Sequence, residues 1–216
     1  MSKKTDVDLT RLARILAAKA RDKRIVVAIA GAPGSGKSTM AEALAAQLTE
    51  DLGVTSQVLP MDGFHYDNAV LEPLGLLPRK GAPETFDVAG LASVLTRLGQ
   101  DAPEDVAVPV FDRSQDLARA GGRIIRADTR VIVLEGNYLL LENRPWAELR
   151  SGFDVTVSIQ CDISVLRERL LQRWLDHGYV RSEALKKAQD NDLPNAELVT
   201  AHNARADFVL TSGATG

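Results

Sequence analysis

The sequence predicts an α/β fold built on a parallel sheet, and three observations carry that prediction. The first is the pattern Gly31, Ala32, Pro33, Gly34, Ser35, Gly36, Lys37, Ser38, Thr39, which fits the phosphate-cradling loop. The second is the context of this loop. Residues 25–30, Ile-Val-Val-Ala-Ile-Ala, form a continuous apolar, β-branched run, as expected of a strand buried on both faces. Residues 40–48 are strong helix formers with Met40, Leu44 and Leu48 on one face. The third observation is that two more apolar runs, 130–136 and 153–160, lie further on with helical patterns between and after them.

Within the loop, glycines at 31, 34 and 36 permit backbone conformations and close amide approaches that a Cβ would block. Unpaired N–H groups at the helix start, together with the helix dipole, favour an anion there. Lys37 adds a mobile positive charge for the outer phosphates, and the Ser38 hydroxyl is the expected Mg²⁺ ligand.

The chain has 216 residues, 45% of them hydrophobic, which is enough for one α/β domain with a small lid. The formal net charge of −3 and the lack of a strongly basic segment exclude nucleic acid as the default partner. Cys161 is the single cysteine, which rules out an internal disulfide framework and points to a reduced, cytoplasmic setting. No apolar run approaches a membrane span, and residues 1–6 lead into no signal core. The three histidines have no metal-ligand spacing, and His177 and His202 read as structural or exposed.

Taken in order, residues 8–22 read as an amphipathic helix with Leu9, Leu12, Ile15 and Leu16 at helical spacing. Residues 54–60 read as a second strand. It ends at Asp62, where ligands of open α/β sheets bind. Asp62 is therefore a candidate general base for a substrate hydroxyl or a Mg²⁺ partner, the alternative being an acid in an Asp-Gly turn. Residues 69–86 read as a long loop of the kind that forms lids or substrate segments, with Arg79 and Lys80 available to an anion. Asp87 reads as the N-cap of a helix that runs to about Leu98, and Gly99 stops it.

Residues 106–111 are strand-like, with Pro109 demoting them to an edge. Gly121-Gly122 reads as the turn of a small hairpin that pairs residues 123–125 back on a substrate-side insertion. The strand at 130–136 ends in Glu135, an expected Mg²⁺ partner, direct or through water. A helix over 164–177 carries Arg169 and Arg173 on one side; they suit a transferring phosphoryl group or form a solvated face. A further helix is expected over 181–189, with Ser182 as a cap. An interruption over 191–195, a helix over 196–204 and a last strand over 206–210 follow, ahead of a frayed tail from Thr211.

Beyond the phosphate loop, several motifs resemble the kinase family that contains uridine kinase, phosphoribulokinase and bacterial type I pantothenate kinase. They are Met61-Asp62-Gly63-Phe64-His65, Lys80-Gly81-Ala82-Pro83-Glu84-Thr85-Phe86-Asp87, Leu134-Glu135-Gly136-Asn137-Tyr138, Leu166-Arg167-Glu168-Arg169-Leu170 and Asn191-Asp192-Leu193-Pro194-Asn195. The resemblance spans about 24–211 and is strongest to a bacterial branch of nucleoside-kinase-like or fructose-transport-associated kinases. It implies a P-loop three-layer sandwich with a five-stranded parallel sheet and helices on both faces. It also implies a single domain over 1–216, with substrate-side insertions at about 62–86 and 106–126 and a lid at about 162–195.

ATP and Mg²⁺ are the implied cofactors, and the implied reaction is phosphoryl transfer to a hydroxyl of a small molecule. By the resemblance Asp62 is the base, Lys37 and Ser38 hold phosphates and metal, and Glu135 assists the metal. Arg169 and Arg173 become lid arginines, and His65, Tyr66 and Arg113 become substrate-side residues. Residues near Asn203 are placed to meet adenine. The partner expected is a small-molecule acceptor, with no nucleic acid and no membrane, and a homodimer is the assembly to test for.

Uridine kinases carry a histidine and an arginine shortly after P-x-[YF]-D. Here Pro109-Val110-Phe111-Asp112 continues as Arg113-Ser114-Gln115-Asp116-Leu117, which disfavours uridine. The short N-terminal lead disfavours pantothenate and leaves a fructose-like sugar first. A nucleotide-hydrolysing switch and a nucleotide-binding module are the competing classes. No N-K-x-D segment supports a guanine switch, and both Asp62 and Glu135, which a passive module would lack, are present.

Overall fold

The computed structural model describes residues 5–99 and 104–212. The frayed tail expected from Thr211 falls mostly outside them: Thr211 itself ends a strand, and 213–216 are not described. The first four residues of the N-terminal stretch also lie outside the described residues.

Six parallel strands form the main sheet: β1 (Thr5–Asp6), β2 (Ile25–Gly31), β3 (Ser56–Pro60), β6 (Val131–Gly136), β7 (Val155–Gln160) and β8 (Phe208–Thr211), in the order β1-β8-β7-β2-β6-β3. The expected sheet of five gains Thr5–Asp6, which pairs with Phe208 and Val209 at the edge. Two residues are too short to carry a period-2 pattern, so only tertiary pairing defines them.

Strand β2 lies between β6 and β7 and is buried at every position. Its alternate residues feed two cores. Val26, Ala28 and Ala30 join one core with α4 (Val88–Gly99), α5 (Ile163–Asp176) and α7 (Leu193–His202) through Leu91, Leu95, Leu166 and Val199. Ile25, Val27 and Ile29 join the other, with α1 (Leu9–Lys19) and α2 (Lys37–Ala46) through Leu12, Leu16 and Leu44. Helices on both faces explain why the strands read as continuous apolar runs. Caps set two helix starts. The Asp8 carboxylate accepts from Arg11 N at 2.7 Å, and Asp87 from Gly90 N at 2.8 Å. Helix α4 includes Gly99 rather than stopping before it.

A separate antiparallel pair, β4 (Val106–Asp112) and β5 (Leu117–Ile125), forms the insertion. Its turn is not at Gly121-Gly122. The chain reverses over 113–116, where the Asp112 carboxylate accepts from Ser114 N and its hydroxyl and Asp116 adopts φ 54°. The two glycines are used inside β5 instead, beside the register shift between Val108 and Val110 that accommodates Pro109. A Cβ at Gly122 would fall 2.0 Å from Val110 Cγ2. The Gln57 amide donates to Ile124 O at 3.0 Å and Arg123 to Val58 O, so side chains link the insertion to β3, the edge strand of the main sheet.

The segment expected as one long loop after Asp67 contains α3 (Asn68–Leu71) and short 3-10 turns at Leu77–Arg79 and Pro83–Thr85. The interruption expected at 191–195 is absent. Helix α6 (Arg181–Lys187) passes through a π-helical turn, Ala188–Asp192, directly into α7. Pro194 sits in the first turn of α7, where its missing N–H costs little. Ser182 does not cap α6; the cap position is Val180, with no side-chain bond.

Candidate active site

The phosphate loop leaves β2 at Gly31 and enters α2 at Lys37. Gly36 is the N-cap, with φ 84° and no side chain to cap the helix, so the first-turn amides are left for an anion. Ser35 is fully buried and its Oγ has no protein partner. Two clefts meet at this loop. Gly31, Ala32 and Ser35 border a cavity of ≈ 550 Å³, and Pro33 and Lys37 border one of ≈ 1040 Å³. The loop thus offers one face to each.

The smaller cavity is walled by the end of β7, Gln160 to Asp162, and by Thr200, Asn203 and Arg205 at the end of α7. Asn203 Oδ1 is buried without a partner there.

Four site residues come from the carboxyl ends of strands, and three of them, Asp62, Asn137 and Arg113, border the larger cleft. Asp62 lies in the 3-10 turn Met61–Phe64 immediately after β3, and Glu135 lies in β6 opposite Pro60. Asn137 follows β6, and Arg113 follows β4. Arg113 Nη2 donates to Asp62 Oδ2 at 3.0 Å. The arginine is 63% exposed and the acid 25%, so the pair contributes at most about 1 kcal/mol to stability. Its consequence is to orient the carboxylate.

Glu135 is buried, and Oε2 has no partner. Burial pushes its carboxyl above the usual range; Lys37 and a hydrogen bond from Ser38 pull the other way, and Asp62 adds to the rise. An exposed serine hydroxyl beside an orphan buried carboxylate oxygen is a hard-oxygen donor set that fits Mg²⁺. Glu135→Gln is expected to raise Tm in the absence of nucleotide, since it removes a desolvated charge. Each kcal/mol relieved shifts Tm by about 2–4 °C in a chain of this size. Activity is expected to fall in the same variant; thermal unfolding beside turnover checks both.

His65 packs between Phe86 and Phe111, ring centroids 4.0 and 4.6 Å away, and Nδ1 lies 2.7 Å from Asp62 O. Withdrawal from water lowers its pKa below the ordinary 6.5, against the pull of Asp62. The unfolded chain therefore binds more protons here than the native one as pH falls through 6.5, and stability falls with it. His65→Asn is expected to flatten the decline of Tm between about pH 7 and 5. A parallel decline in both proteins would remove His65 as its source.

Tyr66 is half-buried, borders neither cleft, and its N–H donates to Thr85 O. The phenol of Tyr138, whose ring packs on Phe86 and Trp146, is held protonated by burial and donates to Gly81 O at 2.6 Å.

The two arginines of α5 part company. Arg169 turns back to the phosphate loop, Nη1 lying 3.3 Å from Gly34 O and 3.0 Å from Ser212 Oγ. Arg173 faces the larger cleft and donates to Asp192 at 2.8 Å, while Trp174 Nε1 donates to the other oxygen of the same carboxylate at 2.6 Å. Sequence reasoning missed Asp192, Asn195, Asn137 and Trp174 as site residues. The Asn191–Asn195 motif was the signal for Asp192 and Asn195, but it reads as a helix break, and the Leu134–Tyr138 motif contains Asn137. His177, read as structural or exposed, is exposed and lines the larger cleft.

Comparison with known proteins bears on the family and the fold. Residues 27–186 match the family model described as AAA domain. The uncharacterized protein YggC of Escherichia coli K12 is 37% identical over 191 residues, covering 87% of this chain and 78% of that protein. A Schizosaccharomyces pombe protein provisionally named uridine kinase C227.14 is 30% identical over 195 residues, covering 87% and 83%. A crystal structure from Silicibacter sp. TM1040, provisionally named a fructose transport system kinase, superposes with TM-score 0.87 at 44% identity, covering 95% and 98%. These matches, with the phosphate loop between two clefts, place the chain in the AAA-domain family of P-loop proteins, among small-molecule kinases whose named relatives include a uridine kinase and pantothenate kinases.

Proposed function

We propose that this kinase transfers the γ-phosphoryl group of ATP to a hydroxyl of a small molecule, with Asp62 as general base. A fructose-like sugar is the first choice of acceptor, and a nucleoside or pantothenate is the alternative. The supporting observation is the position of Asp62. It stands at the end of β3, across from Lys37 and Glu135, in a cleft separated by the phosphate loop from the cavity suited to the nucleotide base.

The acceptor hydroxyl gives its proton to the Asp62 carboxylate. Its oxygen bonds to the γ-phosphorus, the bond from that phosphorus to the bridging oxygen breaks, and ADP leaves with the electron pair. Lys37 and the α2 amides hold the phosphates, and Ser38 and Glu135 would hold Mg²⁺. That metal neutralises phosphate charge when bound. Arg173 leaves Asp192 for the transferring group, and Arg169 holds α5 against the loop. Arg113 orients Asp62, His65 borders the acceptor, and Tyr66 acts from behind the wall through its bond to Thr85.

In this reading residues 1–216 form one kinase domain, with substrate-side insertions at about 62–86 and 106–126 and a lid at about 162–195. No helix among the described residues is long and apolar enough to cross a membrane, and a cytoplasmic enzyme fits. ADP release with Mg-ATP against a panel of ketoses, nucleosides and pantothenate tests the assignment. One acceptor is expected to raise turnover in the wild type. Steady hydrolysis without acceptor response would favour the regulatory-switch reading instead.

A further inference from the structure

Three cations that border the larger cleft are already matched by acids. Arg113 lies 3.0 Å from Asp62, and Arg173 lies 2.8 Å from Asp192. Lys80 Nζ lies 2.9 Å from Asp116 Oδ2 and 2.6 Å from Asn68 Oδ1, and it stands over the Phe111 ring. On the lid wall, Lys186 and Lys187 share α6 and its π turn with Glu183 and Asp190, and Lys187 lies 4.8 Å from the ring centres of both Trp174 and Tyr179. An anionic acceptor would have to displace a carboxylate to reach Arg113 or Lys80, and Arg173 serves the transferring group. Exchanging one anion for another gains little.

Acceptor atoms in the same cleft lack donors. Asn195 is 3% exposed and Asn137 is half-buried, both border the cleft, and Oδ1 of each is buried without a partner. Neighbours fix which way Asn195 faces. Arg79 can only donate, so it meets Asn191 Oδ1, at 3.1 Å, and Asn191 Nδ2 donates to Lys80 O at 2.9 Å. Asn195 Nδ2 then donates to the same Asn191 oxygen at 3.3 Å, which leaves the Asn195 carbonyl oxygen as the orphan. A buried carbonyl without a donor carries a standing cost that a ligand hydroxyl relieves and a carboxylate or phosphate oxygen does not.

We infer that the acceptor is an uncharged polyhydroxy molecule that donates hydroxyls to Asn195 Oδ1 and Asn137 Oδ1, and that anionic acceptors are disfavoured by the pre-paired cations. The inference rests on the phosphoryl-transfer reading. It makes Asn195 a specificity-determining residue for a neutral sugar or nucleoside.

The test has three arms. ADP release is measured with fructose and other ketoses, with uridine and cytidine, and with the anions pantothenate, glycerate and fructose 6-phosphate. A neutral compound is expected to give the highest kcat/KM, and the first two arms separate sugar from nucleoside. Asn195→Ala is expected to raise the acceptor KM about tenfold while shifting the ATP KM less than about twofold. Should that variant not fold, Asp116→Asn, at an exposed position, remains. It removes the charge partner of Lys80, whose hydrogen bonds to Asn68 Oδ1 and the Asp116 carbonyl remain, and is expected to bind fructose 6-phosphate more tightly than wild type by calorimetry.

An anion with the highest kcat/KM would overturn the inference while leaving the kinase reading intact. So would equal affinity for fructose 6-phosphate in Asp116→Asn and wild type. Silence across all three arms would overturn the phosphoryl-transfer reading, and this inference with it.

Discussion

Lys37→Ala is expected to lower kcat/KM for transfer by about 10³-fold or more, because the outer phosphates lose their charge partner where negative charge concentrates in the transition state. The side chain starts the first turn of α2 and borders the larger cleft, so no other residue of that turn supplies a cation. Lys37 also opposes the burial of Glu135. Removing it leaves that acid harder to ionise, and the variant is expected to need more Mg²⁺ for its residual activity. Turnover measured against both ATP and Mg²⁺ concentration checks the two consequences together. A variant within about tenfold of wild type would move the phosphate contacts to the backbone amides alone.

Asp62→Asn is expected to lower kcat by about 10²- to 10⁴-fold, the range of a lost general base, with the ATP KM nearly retained. Asparagine keeps an oxygen for Arg113 and the shape of the turn, so the loss is one of proton acceptance rather than of fold. The split between kcat and KM is the informative readout. Loss of ATP binding instead would recast Asp62 as part of the phosphate and metal machinery. Near wild-type turnover would remove it from the chemistry.

The parts of this site that could be read from the sequence are those made by short-range rules. The phosphate loop needs its glycines, its lysine and its flanking strand and helix within a few residues, so pattern and context suffice. Strand β6 announces itself as an apolar run, and Glu135 is its terminal acid. What escaped notice depends on pairing across long separations. Thr5–Asp6 becomes a strand only because Phe208 and Val209 are beside it. The glycine pair at 121–122 is the strongest turn signal in its stretch, yet the Asp112 carboxylate organises the turn and the glycines serve the irregular pairing around Pro109.

Arg169 and Arg173 share a helix face, but their neighbours divide them: the Gly34 carbonyl for one, the Asp192 carboxylate for the other. Asp192 was hidden by its own sequence. Asn-Asp-Leu-Pro-Asn reads as a helix break, whereas a π turn carries the chain through it and points a buried acid at Arg173. The orphan carbonyls of Asn137 and Asn195 leave no mark in any local pattern, since their significance lies in the donors that are missing around them.

The central claim is that the γ-phosphoryl group goes to an acceptor hydroxyl rather than to water. The most direct measurement is a ³¹P NMR time course of wild type with Mg-ATP and the panel member that most increases ADP release. The γ-phosphorus signal is expected to reappear as a phosphate ester in proportion to the ADP formed. Its reappearance as inorganic phosphate alone, with or without acceptor, would contradict the account.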